Sequence, residues 1–375
     1  MPFAEVLSLK EIRLQYSSIL LFSVAMTLAQ VLLPDLAQAQ SVVVGMNVYD
    51  YTVRSHQEQD DEIDLLQKSG VKTIRTGLSD KSAYFITQAY KHGIGTIAIL
   101  FPTNGSQAKP KRRWSDAPLS GADPDGFAKW LHSMLDPLEA TGVRLTAMEL
   151  GNEINNNGYN GDIPVPGSGR VLGLSDLNNP HDPEGSIIAN GFRNYLRVMA
   201  ALKEVRDHSK LNRKTPILLA GMADWGLPSP KAWNGQLGVS LPDTIEFLRQ
   251  NGLDRFAGGY AVHVYPTGNP QASVQARIAE LEQKRILSKC TPDKPCWLTE
   301  WGISSNSQSC PLDDANRAKA VTAERDALQT YVQQKRLVGL IWFTWSGLPG
   351  LKEEPLAIFR CGGLTNAGKL ALSPM

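Results

Sequence analysis

Short apolar runs alternate with amphipathic segments from residue 42 almost to the end of the chain. Each run is brief and rich in β-branched residues, which is typical of a buried strand. The eight predicted strands cover residues 42–48, 71–75, 95–101, 144–153, 216–220, 257–265, 296–300 and 337–345. The predicted helices between them cover residues 60–69, 82–92, 125–140, 188–202, 242–250, 271–288 and 313–335. Strict alternation indicates parallel βαβ units, and eight strands connected in this way predict a single (β/α)8 TIM barrel of the α/β class.

Two glutamates end predicted strands of this barrel. Glu153 ends the fourth strand and Glu300 ends the seventh. In a (β/α)8 barrel the carboxyl ends of all strands open onto one face, so we expect both side chains to meet across a cleft there. Glu149 is a weaker candidate than Glu153 for the acid at this cleft, because it lies inside the fourth strand rather than at its end. The long segment 154–185, rich in Asn, Gly and Pro, follows Glu153 and is too long for a simple connection.

Composition and charge limit the classes of partner. The chain is 42% hydrophobic and 20% charged, with a formal net charge of +1, so an ordinary globular core is expected. Neither nucleic acid nor an anionic membrane is a predicted partner, because both need a concentrated basic surface. The basic segment 109–114 is short, and we interpret it as a solvated surface loop rather than an anion-binding site. We expect a monomer.

The first 39 residues have the pattern of an export signal. An apolar run at 18–33 follows Lys10 and Arg13 and precedes Ala37-Gln38-Ala39, a small-residue cleavage pattern. We therefore predict a signal peptide at 1–39 and a catalytic domain at 40–375, located outside the cell or in a periplasm. An uncleaved membrane anchor is the alternative, and no later segment is apolar enough to span a bilayer.

The four cysteines fit disulfides better than a metal site. An exported chain passes through an oxidising compartment, where an even number of cysteines favours two bridges. The cysteines lack paired CxxC spacing with a nearby histidine cluster, so zinc is not expected. Four cysteines allow three pairings. The preferred one joins Cys290 to Cys296 and Cys310 to Cys361.

Over nearly the whole mature chain, the sequence resembles the retaining glycoside hydrolases of clan A, especially the cellulase-like and xylosidase-like families. The resemblance rests on Gly151-Asn152-Glu153 and Thr299-Glu300-Trp301-Gly302, together with Arg75, His263-Val264-Tyr265, Trp342 and Trp345. It implies that Glu153 is the acid/base and Glu300 the nucleophile of a double displacement. Metals and organic cofactors are not expected.

The resemblance also implies roles for the residues around the two acids. Arg75 and the Tyr265 hydroxyl suit Glu300 as donors, because opposite charge and hydrogen bonds favour a carboxylate. We expect the charge of Glu300 to raise the pKa of Glu153, which must be protonated when substrate arrives. The predicted substrate-binding residues are Asn152, Arg75, His263, Tyr265, Trp345 and Trp301. A buried histidine bonded to the backbone is the alternative for His263.

The predicted function is an exported retaining β-glycoside hydrolase acting on an oligo- or polysaccharide. Two other classes fit the same barrel: a carbohydrate-binding protein without turnover, and a transglycosylase.

Overall fold

The computed structural model describes residues 42–49, 54–110, 116–223, 238–265, 278–279, 286–305, 309–310, 312, 314–347 and 355–375. The predicted signal peptide and most of the predicted helix at 271–288 lie outside these residues. Within the described part of the chain, no helix is long and apolar enough to cross a membrane.

Eight parallel strands form the sheet at the centre of the molecule. They are β1 (Val43–Asn47), β2 (Thr73–Gly77), β3 (Gly95–Leu100), β4 (Ala147–Asn152), β5 (Ile217–Gly221), β6 (Tyr260–Val264), β7 (Cys296–Trp301) and β8 (Leu337–Trp342). Their order in the sheet is β5-β4-β3-β2-β1-β8-β7-β6. Isolated parallel bridges join Leu218 to Gly259 and Met222 to Val262, so β5 and β6 close the sheet into a barrel. The predicted (β/α)8 fold is confirmed.

Helices follow the strands in turn. They are α1 (His56–Lys68), α2 (Ala83–Lys91), α3 (Pro124–Ala140), α4 (Gly185–His208), α5 (Leu241–Gln250), α6 (Ile286–Lys289), α7 (Ala315–Gln333) and α8 (Asn366–Leu372). The predicted start of α1 at residue 60 is wrong. Ser55 and Glu58 form a capping box, which begins the helix at His56 although its first turn has no apolar residue.

The barrel has two apolar layers. Its interior holds Ile97, Ala147, Leu218, Ala261, Trp297 and Ile341, while a much larger cluster lies between the sheet and the helices. Trp297 fills the interior next to Gly339, where a Cβ atom would lie 2.2 Å from Cε3 of the indole. The bottom of the barrel is thus packed, which leaves the carboxyl ends of the strands as the place for a cavity.

An extra residue interrupts the pairing of β7. Val262 pairs with Leu298 but His263 pairs with Glu300, and on the other side Leu340 and Trp342 pair with Leu298 and Trp301. Thr299 is therefore a bulge relative to both neighbouring strands. Because a bulge changes the direction of the side chains beyond it, Thr299 and Glu300 both face the inside of the barrel, where Thr299 donates to Glu149 and Glu300 accepts from Arg75.

Two disulfides join the preferred pairs. Cys290 is bonded to Cys296 immediately before β7, and Cys310 is bonded to Cys361, which ties the segment after β7 to the segment after β8. Both pairings were predicted and both are confirmed.

The long segment after Glu153 has structure of its own. Val171–Leu172 pairs with Gly238–Val239, and a short helix spans Leu174–Asn178. The Arg170 guanidinium contacts three acids at the far end of the segment, Asp176, Asp182 and Glu184. These contacts tie residues 170–184 to one another.

Candidate active site

A cavity of about 430 Å³ lies at the carboxyl ends of the strands. Side chains from five strand ends and from the segment after β4 line it. They are Val48, Tyr49, Ile99, Phe101, Asn152, Glu153, Tyr159, Glu300, Phe343, Thr344, Trp345 and Ser346. The cavity therefore contains both glutamates singled out from the sequence.

The two carboxylates lie close together. Nδ1 of His263 is 2.8 Å from Oε1 of Glu153 and 3.5 Å from Oε2 of Glu300. These three side chains each place one polar atom within 4.8 Å of the others. Retaining glycoside hydrolysis uses carboxyl groups about 5–5.5 Å apart. Two acids distant in sequence thus approach at a separation that suits double displacement.

Glu300 accepts from donors on both of its oxygens. Nη1 of Arg75 donates to Oε1 at 2.8 Å, and the Tyr265 hydroxyl donates to Oε2 at 2.5 Å. The Tyr49 hydroxyl lies 3.4 Å from Oε1. Burial and the charge of Glu300 raise the pKa of Tyr265 and that of Tyr49, so both hydroxyls keep their protons at neutral pH. Both oxygens of Glu300 thus face hydrogen-bond donors, one of them a guanidinium.

Arg75 is fully buried and all its N–H groups have acceptors. Nε and Nη2 donate to the two oxygens of Glu149 at 2.7 and 2.9 Å. Nη2 also donates to Asn152 Oδ1, and Nη1 donates to Asn47 Oδ1 and to Glu300. Burial alone would lower the pKa of Arg75, but the adjacent acids raise it well above its usual value. The guanidinium is a fixed positive charge beneath the cavity.

Glu149 supports the site from below. It is fully buried and also accepts from the backbone N–H of Gly221 at 2.8 Å and from the Thr299 hydroxyl at 3.2 Å. The sequence analysis weighed Glu149 only as a rival to Glu153. Its position in the middle of β4, on the barrel interior, makes it the partner of Arg75 instead.

Glu153 lies in a strained turn at the end of β4. Its φ is 40°, a left-handed value that few residues other than glycine adopt, and its N–H donates to the Gly221 carbonyl at 2.6 Å. Oε1 contacts His263 Nδ1, and Oε2 accepts from Asn156 Nδ2 at 2.6 Å. Burial raises the pKa of Glu153, but His263, Asn156 and Arg75 together lower it, and the net shift is downward.

This direction corrects the sequence analysis, which expected the charge of Glu300 to raise the pKa of Glu153. His263 lies between the two acids and interacts with both. The contact of the histidine with Glu153 favours the ionised form of that acid.

His263 contacts the acids from behind the cavity. Its ring is buried, and Nε2 has no hydrogen-bond partner among the described residues. A Cβ atom on Gly221 would lie 2.0 Å from that nitrogen, so glycine leaves the space that the ring occupies. The tautomer with its proton on Nδ1 fits this arrangement, because Nδ1 faces two carboxylates.

The predicted substrate-binding residues fall into three groups. Asn152 and Trp345 line the cavity. Arg75, His263 and Tyr265 are not among the residues that line it, and they contact the carboxylates instead.

Trp301 corrects the prediction, because it faces away from the cavity. It is fully buried and packs edge-to-face on Trp342 with ring centroids 4.8 Å apart. The bulge at Thr299 is the reason, since it turns Glu300 to the mouth and the next residue to the helix layer.

Two cavity features escaped the sequence reasoning. Tyr159 lines the cavity, and burial together with the nearby Glu153 and Glu300 raises its pKa to about 12. Phe359 stacks behind Trp345, with ring centroids 4.7 Å apart. The sequence does offer a signal for Tyr159. The asparagine run at 155–157 predicts a tight turn directly after Glu153, and such a turn brings the residues that follow it back towards that acid.

The side chains around the two carboxylates decide whether the site fits a metal ion. Among the described residues, Glu153, His263 and Glu300 form the grouping whose spacing could admit a metal ion. Arg75 and Tyr265 already donate to both oxygens of Glu300, so the donor set suits protons and a neutral sugar better than a cation.

Comparisons with known proteins identify the fold. No protein-family model and no curated protein sequence matches the chain. A fungal β-1,4-galactanase is similar at 14% identity and a TM-score of 0.54, over 88% of this chain and 99% of that one. A β-glucosidase from Thermotoga maritima, in complex with cyclophellitol, is similar at 10% identity and 0.51, over 88% and 96%.

A third similar structure is an endo-β-1,4-mannanase from Thermotoga petrophila, at 14% identity and a TM-score of 0.50, over 88% of this chain and 76% of that one. At such identities the likeness shows a shared barrel. The chemistry of this chain has to be argued from its own side chains.

Proposed function

We propose that the protein is a retaining β-glycoside hydrolase that cleaves O-glycosidic bonds in an oligo- or polysaccharide. The observation that carries the proposal is that one carboxylate oxygen of Glu153 lies within 4.8 Å of one of Glu300 at the mouth of the barrel. Their surroundings differ, which double displacement requires. Glu300 is held by Arg75 and Tyr265, whereas Glu153 contacts the neutral donor Asn156 and the titratable His263.

In the first step, Glu300 attacks the anomeric carbon and forms a covalent glycosyl ester. The glycosidic C–O bond breaks, and the proton of Glu153 goes to the leaving oxygen. In the second step, the ionised Glu153 takes a proton from water, and that water attacks the anomeric carbon and releases Glu300. Two displacements at the same carbon retain its configuration.

The remaining cavity residues suit a sugar ring. Trp345 offers an apolar face that Phe359 supports, and Asn152 offers a carboxamide beside Glu153. Oδ1 of Asn152 accepts from Arg75, so its Nδ2 is left to donate to a sugar hydroxyl. The three similar structures are those of a galactanase, a mannanase and a glucosidase, which is consistent with this class.

Product stereochemistry tests the proposal. The purified protein would be incubated with aryl β-glycosides and with β-glucan, xylan, mannan and bacterial exopolysaccharides. We expect hydrolysis of at least one of them, with the β anomer as the first product in proton NMR spectra. An α anomer formed first would contradict double displacement. Binding without hydrolysis would favour the carbohydrate-binding class, and glycosyl transfer to an added acceptor would favour a transglycosylase.

We also propose that the chain is exported and that its signal peptide ends at residue 39. The apolar run at 18–33 and the two disulfides support this. Sequencing the N-terminus of protein recovered outside the cytoplasm should find a chain beginning near Gln40. Recovery of the uncleaved chain from membranes would instead indicate an anchor.

A further inference from the structure

We propose that Asn156 is a positioning residue that fixes one oxygen of Glu153 and decides how readily this acid keeps its proton. The inference rests on the proposed function and adds a residue that the sequence analysis did not place in the site. It stands on a short hydrogen bond between Asn156 Nδ2 and Glu153 Oε2, 2.6 Å long, inside a turn that brings the two side chains together.

The backbone after β4 dictates this contact. The N–H of Asn156 donates to the carbonyl of Glu153 at 2.9 Å, which closes a four-residue turn. The Asn156 side chain then points back along the chain towards Glu153. Its carboxamide cannot reverse, because Oδ1 accepts from the backbone N–H of Gly158 at 2.7 Å. Oε2 of Glu153 therefore faces a donor at all times.

The neighbouring asparagines have different partners. Asn155 bonds the backbone of Ala223 and Val239, which joins the segment after β4 to the segment after β5. Asn160 bonds the Ile154 carbonyl and the N–H of Asp162. Both side chains form hydrogen bonds with backbone atoms only. Asn156 differs, because its Oδ1 accepts from backbone while its Nδ2 donates to Glu153, an acid that lines the cavity.

Asn156 acts on Glu153 without adding charge. The titratable or charged groups that face Glu153 are Arg75 from β2, Glu300 from β7, His263 from β6, and Tyr159 and Tyr265 from the connecting segments. A neutral donor to a carboxylate favours the ionised form, so Asn156 contributes to the lowered pKa of Glu153. Removing the donor raises that pKa while every formal charge in the site stays the same.

The two steps of the reaction use this contact in opposite ways. The first step needs a protonated Glu153, which the Asn156 donor disfavours. The second step needs the ionised form, which the same donor favours. Since kcat/KM reports the free enzyme and the first step, its alkaline limb follows the ionisation of Glu153. A higher pKa keeps the acid form to higher pH, so losing the donor moves this limb upward.

The experiment compares pH profiles of kcat/KM on an aryl β-glycoside with a poor leaving group. Asn156→Leu should shift the alkaline limb upward by roughly one pH unit and leave the acid limb unchanged. Asn156→Asp should shift the alkaline limb further, because a second carboxylate beside Glu153 opposes its ionisation. Asn155→Leu is the matched control: it breaks backbone ties of the same turn, and its alkaline limb should coincide with that of the wild type.

A direct titration covers the case in which a variant folds poorly or turnover is absent. Carbon-13 labelling of the glutamate carboxyls, with Glu153→Gln to assign the resonance, reports the ionisation of Glu153 by NMR without substrate. The midpoint should rise in Asn156→Leu, or in Asn156→Asp if the leucine variant does not fold.

The two proposals can fail separately. An unchanged midpoint together with an unchanged alkaline limb overturns the role of Asn156. A raised midpoint in a protein that hydrolyses no glycoside supports the contact and removes the proposed function.

Discussion

Glu300→Ala is expected to lower kcat on aryl β-glycosides by about 10⁴-fold or more, because it removes the group that we propose forms the covalent intermediate. The side chain lies at the bulge of β7 and accepts hydrogen bonds from Arg75 and Tyr265. No other carboxylate among the described residues accepts from both of these donors. Steady-state rates with a 2,4-dinitrophenyl glycoside measure the loss. The exposed Glu204→Ala on α4 is the matched control and should keep wild-type rates.

Azide separates loss of the nucleophile from loss of the fold. The truncated side chain leaves space on the face of the sugar that Glu300 attacks. Azide can enter there, form a bond to the anomeric carbon and expel the aglycone, which gives an α-glycosyl azide. Its formation by Glu300→Ala would show that the rest of the site is intact. A variant that hydrolyses substrate at the wild-type rate would exclude Glu300 as the nucleophile.

Arg75→Met is expected to reduce the free energy of unfolding by about 3–5 kcal/mol, because it leaves the carboxylate of Glu149 buried without its counter-charge. Glu149 is fully buried and receives two of the six guanidinium hydrogen bonds of Arg75. Urea denaturation, followed by tryptophan fluorescence, measures the change from the midpoint and slope. Activity should also fall, since Glu300 loses its charged donor on Oε1.

A second substitution separates these two effects. Arg75→Met combined with Glu149→Leu removes both buried charges, and replacing a buried ion pair by apolar groups is often neutral for stability. We expect the double variant to recover most of the lost stability but not the activity. Recovery of both would mean that Arg75 serves only to neutralise Glu149.

The barrel could be predicted because its signal is local and repeated. Each strand is a short apolar run and each helix an amphipathic one, so eight repeats gave the strand order before any contact was known. The Cys310–Cys361 disulfide followed from the same argument, since the carboxyl ends of β7 and β8 are adjacent in a closed barrel. The start of α1 was missed because its first turn is held by a capping box, not by apolar residues.

The site was predictable only where strand ends dictate it. Glu153 and Glu300 end strands, and their meeting follows from the topology. The role of Glu149 depends on which way a mid-strand side chain faces and on a partner from another strand. The contact of Asn156 depends on a turn whose backbone hydrogen bond no periodicity reveals. Trp301 was misplaced because strict alternation, the rule behind the strand predictions, does not hold across a bulge.

The extra residue in β7 points two consecutive side chains, Thr299 and Glu300, into the barrel. If Thr299 were missing, strict alternation after Leu298 would still direct the glutamate inwards, but the hydroxyl that donates to Glu149 would be lost. A relative one residue shorter here could therefore keep both acids in place while the carboxylate beneath them has one hydrogen bond fewer. Alignments of such barrels should be read for a gap at this point, because it marks a different support for Glu149 rather than a lost acid.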